Sequence, residues 1–553
     1  MKKMITDNQT NKPPIGPSPA HRRKIWPLAG LAAAFTAILA CSIAPRALAQ
    51  ASVTFTVDTT LSDGTGISPY MAADRIGIAN VKPYSTYNPG GLQYFWAATN
   101  TQLISLYQNA GIRLISVGGL GADSQVPQPD PTWLGPFFGF CQAANIQANW
   151  LLGMSNINNA GSMSFTNSAM TNALYIMQNY SNNLAWLSIG NERDAKTSDS
   201  DHGWGTGLPA FTEFWPNWRA YRDDITAYCK ANGAPVPWFG GPDAVNDDSS
   251  WDEYFANTNL SVYGNDVSDM NFHWEPLSHS TNDAGFDDAV QMLSSNIDDT
   301  QFPSIANGWV NYDNYAYPAS ITEFNSYNFT GGNGAAGNFG SQTYANALFA
   351  LDAIHWWAQA GLHSLDWLDA QIGTGVGFFY TNVSNGNLEG CALMYGCAAY
   401  NEGGGADAYT GYINNNSMGL AAPIKSWSNA GGVNNASAYA IADYGADGHC
   451  TNLYVTIINT SFTSSGNLGT NLLADFTVNM PYPGVTSLHR MYLSQAQSYV
   501  TATNGITLGG ADLNGGSTFA PQWINEGVLN YSFYKTTVTN LTAQILEFSC
   551  PTN

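Results

Sequence analysis

The stretch LAWLSIGNE (residues 184–192) is an almost unbroken apolar run that ends on Asn-Glu. A run of this length and composition reads as a β-strand covered on both faces, with a carboxylate at its C-terminal end. Seven further runs share its character: GISPYMAA (66–73), IRLISVGG (112–119), QANWLLGMSN (147–156), PWFGG (237–241), VSDMNFHWE (267–275), ASITEFNS (319–326) and LHSLDWLD (362–369). Amphipathic stretches separate them, among them NTQLISLYQNAG (100–111) and YANALFALDAIHWWAQAG (344–361), both closing on a helix-stopping glycine. Eight strands alternating with helices predict an α/β fold of the (β/α)8 (TIM) barrel type over 65–430. A doubly wound open sheet is the rival, but no glycine fingerprint follows the first strand.

Beyond about residue 431 the pattern changes. NLYVTIIN (452–459), LADFTVNM (473–480), SLHRMYL (487–493), VLNYSFY (528–534) and LTAQILEF (541–548) are short, mostly alternating and separated by Gly and Asn. They predict a C-terminal antiparallel β-sandwich over 431–553. SVTFTV (52–57) has the same character, so residues 50–64 are expected to add a strand to it.

Residues 1–49 read as an address. A basic cluster, HRRK (21–24), precedes an apolar run over 25–44 and the small-residue segment ALAQA (47–51). That order predicts a secretory signal cleaved after Ala49 and a secreted or periplasmic protein, with no membrane attachment once it is removed. The rivals are a membrane anchor made of the same run and a lipid-attached Cys41. Export makes disulfides the expectation for the other six cysteines, of which Cys391 with Cys397 and Cys450 with Cys550 are candidate pairs. The spacings do not fit a zinc site.

The chain of 553 residues carries 18 basic and 40 acidic side chains, a formal charge of −22. Without residues 1–49 the balance is 11 basic against 39 acidic, or −28. Nucleic acid is excluded as a partner, since phosphate binding needs a basic surface. A long sulfated polymer fits no better. Disorder is excluded as well, because only 10% of residues are charged and 44% are hydrophobic.

In a barrel the chemistry sits at the C-terminal strand ends. Those ends carry Gly118 and Gly119, Asn156, Asn191 and Glu192, Asp243, His273 to Glu275, Glu323, and Asp366 and Asp369. Glu192 and Glu323 each interrupt an apolar strand, where an unpaired carboxylate costs several kcal/mol. A core ion pair would explain one such residue, but the nearby bases are few, with Arg193 and Lys196 the neighbours of Glu192. Two carboxyls at one barrel mouth suit glycosidic cleavage, one protonating the leaving oxygen and the other attacking the anomeric carbon or activating water. That chemistry needs neither metal nor organic cofactor.

SIGNERD (188–194) and ITEFNSYN (321–328) resemble the acid/base and nucleophile motifs of the retaining clan A glycosidases. With AGIRLISVGG (110–119), GPDAV (241–245), VSDMNFHWEP (267–276), NALFALDAIHWWAQAGLHSLDW (346–367) and NGITLGGADL (504–513), the chain most resembles glycoside hydrolase family 79, the bacterial β-glucuronidase and heparanase group. The resemblance implies Glu192 as general acid/base, Glu323 as nucleophile, Asn191 on the sugar 2-hydroxyl, and His273 beside the nucleophile. Asn156 and Trp274 join the expected sugar contacts. The family's glucuronidases read the sugar carboxylate through a Gly-x-x-x-Tyr loop after the eighth strand, which implies Tyr400 in GCAAY (396–400) or Tyr409 in GADAY (405–409).

There are departures. Ser116 stands where the family usually has Arg, Arg193 where Pro is usual, and Glu275 where a Tyr would donate to the nucleophile. A carboxylate at 275 would instead push the nucleophile's pKa up. The long Gly/Asn-rich segment 373–417 is expected to form a lid or subsite wall, and Trp133, Trp204, Trp274 and Trp367 are candidates for stacking on sugars. The expectation is therefore a secreted retaining β-glycosidase, β-glucuronidase-like. Its alternatives are a neutral-sugar glycosidase on the same barrel and a noncatalytic carbohydrate-binding surface protein; the oligomeric state is left open.

Overall fold

The computed structural model describes residues 51–57, 76–80, 96–118, 131–154, 163–194, 207–245, 249–263, 267–277, 289, 292–293, 319–326, 343–359, 362–368, 378–381, 384–405, 419–421, 424–429, 436–444, 450–461, 474–479, 485–496, 499–529 and 531–550. After β1 (Ala51–Val57), eight strands follow: β2 (Ile76–Asn80), β3 (Ile112–Val117), β4 (Gln147–Leu152), β5 (Leu184–Ile189), β6 (Phe239–Ala244), β7 (Val267–Trp274), β8 (Ala319–Phe324) and β9 (Ser364–Leu368). Each of the eight pairs in parallel with the next, and β9 returns to β2, so the barrel is closed. Among the described residues, the helices wrapping it are α1 (Thr101–Asn109), α2 (Pro131–Ala144), α3 (Met163–Asn179), α4 (Gly207–Ala231), α5 (Ser249–Tyr263), α6 (Tyr344–Gln359) and α7 (Ala392–Tyr400).

The barrel opens with β2, IGIAN, and not with the expected 66–73, which lies outside the described residues. Five residues including Gly, Ala and Asn carry little strand propensity, so this element was not legible. The other strands are less uniformly apolar than their first reading. Their outward faces are apolar, with Trp150, Phe272, Phe324 and Trp367 in one core with the helices. Their inward faces carry Ser116, Asn149, Ser188, Asn271, Thr322 and Asp366, all buried.

The remaining strands are the hairpin β10 (Phe379–Thr381) and β11 (Leu388–Gly390), then β12 (Gly419–Ala421), β13 (Ile424–Asn429), β14 (Ala436–Tyr444), β15 (Cys450–Asn459), β16 (Ala474–Asn479), β17 (Val485–Gln495), β18 (Ile506–Leu508), β19 (Ile524–Leu529), β20 (Phe533–Val538) and β21 (Thr542–Ser549). One sheet runs β13-β1-β16-β20; the other runs β12-β14-β15-β21-β17-β18, with β19 paired to β17. Ala438, Ala440, Leu453, Val455 and Phe548 face the first sheet, where Val57, Phe476 and Val478 meet them. On the opposite face Tyr439, Ile441, Tyr454, Met491 and Ile545 join the barrel's core. The second sheet is thus buried on both sides, a sandwich layer and a barrel neighbour at once.

Of the segment expected as a lid, residues 378–381 and 384–405 are described, and these pack away from the barrel mouth, while the rest lies outside the described residues. Leu388 N–H donates to Gln102 Oε1 at 2.8 Å, and Gly515 N–H donates to Leu388 O at 2.8 Å. These bonds pin the β10–β11 hairpin between α1 and the C-terminal domain. α7, with all nine residues buried, is the last helix of the barrel. Cys391 caps α7 and Cys397 lies in its second turn, and no bond joins them. At 3.6 residues per turn, positions six apart fall on different helix faces, so this pair is corrected. Cys450 and Cys550 lie side by side, their sulfurs 2.7 Å apart.

Candidate active site

The inward faces build upward from a closed floor. Trp186 of β5 lies across the bottom, stacked on His363 at 6.0 Å between ring centroids. Gly240 permits this, since any Cβ there would stand 2.6 Å from the indole. Asp269 Oδ2 accepts from Ser320 Oγ at 2.9 Å and lies 2.6 Å from His363 Nδ1.

Above the floor a chain of hydrogen bonds runs round the barrel. Ser364 Oγ and Ser116 Oγ donate to the two oxygens of Asp366. Asn149 Nδ2 donates to Ser116 Oγ at 3.3 Å, and Ser188 Oγ donates to Asn149 Oδ1 at 3.1 Å. Asn271 Nδ2 donates to Ser188 Oγ at 2.9 Å and reaches Asp243 Oδ2 at 3.5 Å. Thr322 Oγ1 closes the series on Asp243 Oδ1 at 3.0 Å. Buried hydroxyls and amides satisfied in this way form a rigid base, whereas unsatisfied ones would each cost 1–3 kcal/mol.

On that base stand Glu192, His273 and Glu323. Glu192 follows β5 in a left-handed conformation (φ +47°), its N–H donating to Asp243 O at 2.8 Å. Glu323 should face outward by strict alternation, since Thr322 faces in. Register shifts between Phe272 and His273 and between Ile321 and Phe324 mark a bulge that turns both residues inward. His273, opposite Glu323 in the β7–β8 ladder, places Nδ1 2.9 Å from Glu192 Oε1 and 3.7 Å from Glu323 Oε2. One donor atom from each of the three lies within 4.8 Å of the others.

Electrostatics follow from burial. Burial opposes charge on His273, but the carboxylates of Glu323 and Glu192, with Asp243 behind them, overcome it and hold the imidazole up to about 10. Burial pushes Glu323 up to about 8, with His273 opposing and Glu192 and Glu275 assisting. Glu275 is itself raised by burial to about 7. Burial also raises Asp243, against the pull of His273 and three side-chain hydrogen bonds. The imidazolium is a cation set among these carboxyls. The same three donor atoms have the spacing of a divalent-ion site, in which His273 would have to give up its proton.

The expected site residues divide. Glu192, Asn191, His273 and Glu323 come together at one barrel end, with Asn191 buried beside Glu192. Trp274 does not join them: it points outward, packed at 5.9 Å on Phe324 and on Trp357 of α6. Trp367 is likewise enclosed, against Phe324 and Phe349. Tyr400 is also corrected. GCAAY is part of helix α7, and the Tyr400 ring is fully buried against His355 of α6 at 4.7 Å, where no sugar reaches it. Asn156, Trp204, Asp369 and Tyr409 lie outside the described residues. The sequence reading missed Ser188, Asn271, Thr322 and the structural part of Asp243. The period-two polar pattern of VSDMNFHW and ASITEF was the available signal.

No protein-family model and no curated protein matches this sequence. Solved structures do match in fold. A 4-O-α-L-rhamnosyl-β-D-glucuronidase from Fusarium oxysporum 12S superposes with a TM-score of 0.60 at 16% identity, covering 89% of this chain and 99% of that one. The GH51 arabinofuranosidase from Xanthomonas axonopodis pv. citri gives 0.60 at 11% identity, covering 90% and 100%. The α-L-arabinofuranosidase from Thermotoga maritima gives 0.55 at 10% identity, with the same coverage. The chain has the fold of these glycosidases. Barrel and C-terminal β domain are shared together, while identities this low leave the activity to be argued from the site.

Proposed function

We propose that the protein is a retaining glycoside hydrolase, with Glu192 as general acid/base and Glu323 as nucleophile. The observation that carries this reading is the carboxyl pair at the ends of β5 and β8, with donor oxygens within 4.8 Å across His273. Retaining enzymes hold their carboxyls about 5–5.5 Å apart, and inverting ones hold them wider to admit a water. In the first step Glu192 gives its proton to the leaving oxygen while Glu323 attacks the anomeric carbon and forms a glycosyl ester. In the second, Glu192 takes a proton from water, which displaces Glu323. His273 favours the ionised nucleophile and orients Glu192. Asn191 is placed to meet a sugar hydroxyl next to the acid.

The sugar is narrowed by charge. Glucuronide recognition, the expectation from the family 79 resemblance, loses Tyr400 and would rest on Tyr409. Glu275 supports the second reading, a neutral β-glycoside. Its carboxylate acts on both Glu192 and Glu323 and would repel a uronate bound between them. The basic–apolar–small order of residues 21–49 supports export.

A panel of chromogenic β-glycosides (glucuronide, glucoside, xyloside, galactoside) tests the reading. At least one is expected to turn over, equally with and without a chelator, and Glu323→Gln is expected to lose at least about 10³-fold in kcat. Full activity in Glu323→Gln would remove the catalytic pair. Loss of activity to the chelator alone would favour a metal held by the same three side chains. Glucuronide turnover exceeding every neutral sugar would restore the first expectation.

A further inference from the structure

Two described segments lie at neighbouring strand ends of the barrel, residues 190–194 following β5 and residues 243–245 at the end of β6. The β5–β6 ladder itself registers only Leu187 with Phe239 and Ser188 with Gly240. Beyond Ser188, hydrogen bonds still join the two segments. Glu192 N–H donates to the Asp243 carbonyl at 2.8 Å, and Val245 N–H donates to Asp194 Oδ1 at 2.8 Å. The two bonds form a clip, one through backbone and one through a side chain.

The clip holds strained backbone. Glu192 and Asp243 are both left-handed, at φ +47° and +52°. Each such non-glycine residue costs on the order of 1–3 kcal/mol and persists only where its surroundings hold it. Asp194 is fully buried, and its second oxygen, Oδ2, has no hydrogen-bond partner among the described residues. Burying a carboxylate is costly, which directs attention to what its bond to Val245 N–H positions.

We propose that Asp194 is a positioning residue for Glu192. Its carboxylate anchors the 243–245 segment, whose Asp243 carbonyl holds the Glu192 backbone and so aims the acid/base at the leaving-group oxygen. This rests on the acid/base reading of Glu192. Either protonation state of Asp194 keeps Oδ1 as an acceptor, so the clip survives in acid.

The experiment compares kcat/KM on two β-glycosides of one sugar, one with a 2,4-dinitrophenyl leaving group and one with an alkyl leaving group. The first departs without a proton and the second needs one. Asp194→Ala is expected to lower kcat/KM on the alkyl glycoside by about 10²-fold, the order of a misplacement near 1 Å, and on the dinitrophenyl glycoside by less than about 3-fold. Asp194→Asn keeps an acceptor and is expected to restore the alkyl activity to within several-fold. Equal losses on both substrates, or no loss on either, would overturn the proposal. An Asp194→Asn variant no better than Asp194→Ala on the alkyl glycoside would do so as well. Glu192→Ala on the same two substrates tests the underlying reading separately: without a leaving-group dependence there, Glu192 is not the acid.

Discussion

Glu192 stands beside a strand end that carries more negative than positive charge, and its neighbours decide what it can do. His273, buried, supplies positive charge, and Glu323 and Glu192 lie 3.7 and 2.9 Å from it. Glu275 works in the opposite direction by raising Glu323. A negative neighbour disfavours a second ionised carboxyl, so neutralising it lets Glu323 ionise at lower pH. Glu275→Gln is therefore expected to move the acid limb of the kcat/KM–pH profile to lower pH, read by initial rates over about pH 3–9. A limb that stays in place would mean that Glu275 does not act on the nucleophile.

At the scale of elements, β8 shows how a small irregularity sets function. Without the bulge, Glu323 would alternate with the inward Thr322 and fall on the outer face, among Phe324, Phe349 and Trp367. Strand identity was legible because apolar runs of this length are strands, but the bulge was not, since it depends on pairing with β7. The helix pair α6–α7 gives the converse case. Gly396 and Tyr400 resembled a ligand-reading loop in sequence, yet Gly396 is there for close helix packing. A Cβ at 396 would lie 2.5 Å from Ala347 O and 2.8 Å from Ala350 Cβ. Gly396→Ala is expected to force the helices apart and destabilise the fold by about 1–3 kcal/mol, measured as a lowered urea midpoint. An unchanged midpoint would show that the pair has room to spare.

At the scale of the molecule, barrel and sandwich meet through a mixed apolar and polar seam. Ser437 Oγ and Tyr439 OH both donate to Asp352 Oδ1 of α6, the latter at 2.8 Å, and Tyr344 OH lies 3.0 Å from both Leu493 O and Leu541 O. His355 stacks flat on Tyr439 at 4.9 Å, and burial depresses its pKa to about 3. The unfolded chain takes up that proton near pH 6.5, so between 6.5 and 3 it binds more protons than the folded one. Stability from the neutral imidazole is full above 6.5, falls as pH drops through that value and levels off near 3. The loss at pH 5 is about 2 kcal/mol. His355→Phe keeps a ring on Tyr439 and removes the titration. The variant's urea-derived stability is expected to fall less between pH 7 and pH 5 than that of the unaltered protein. Equal falls would place the acid sensitivity elsewhere.

Sequence alone determined the architecture: alternating apolar runs and helical segments, then short alternating strands, specify a barrel followed by a sandwich because burial demands are local and periodic. It also singled out Glu192, His273 and Glu323, because polar residues inside apolar strands are costly wherever the strands go. Tertiary structure decided what those residues are to one another. The bulge on β8, the bonded chain from Asp366 to Thr322, the outward turn of Trp274 and the burial of Tyr400 all arise from contacts between distant segments. Such contacts depend on register and on which face of each element meets its neighbour, and one-dimensional patterning does not carry that information.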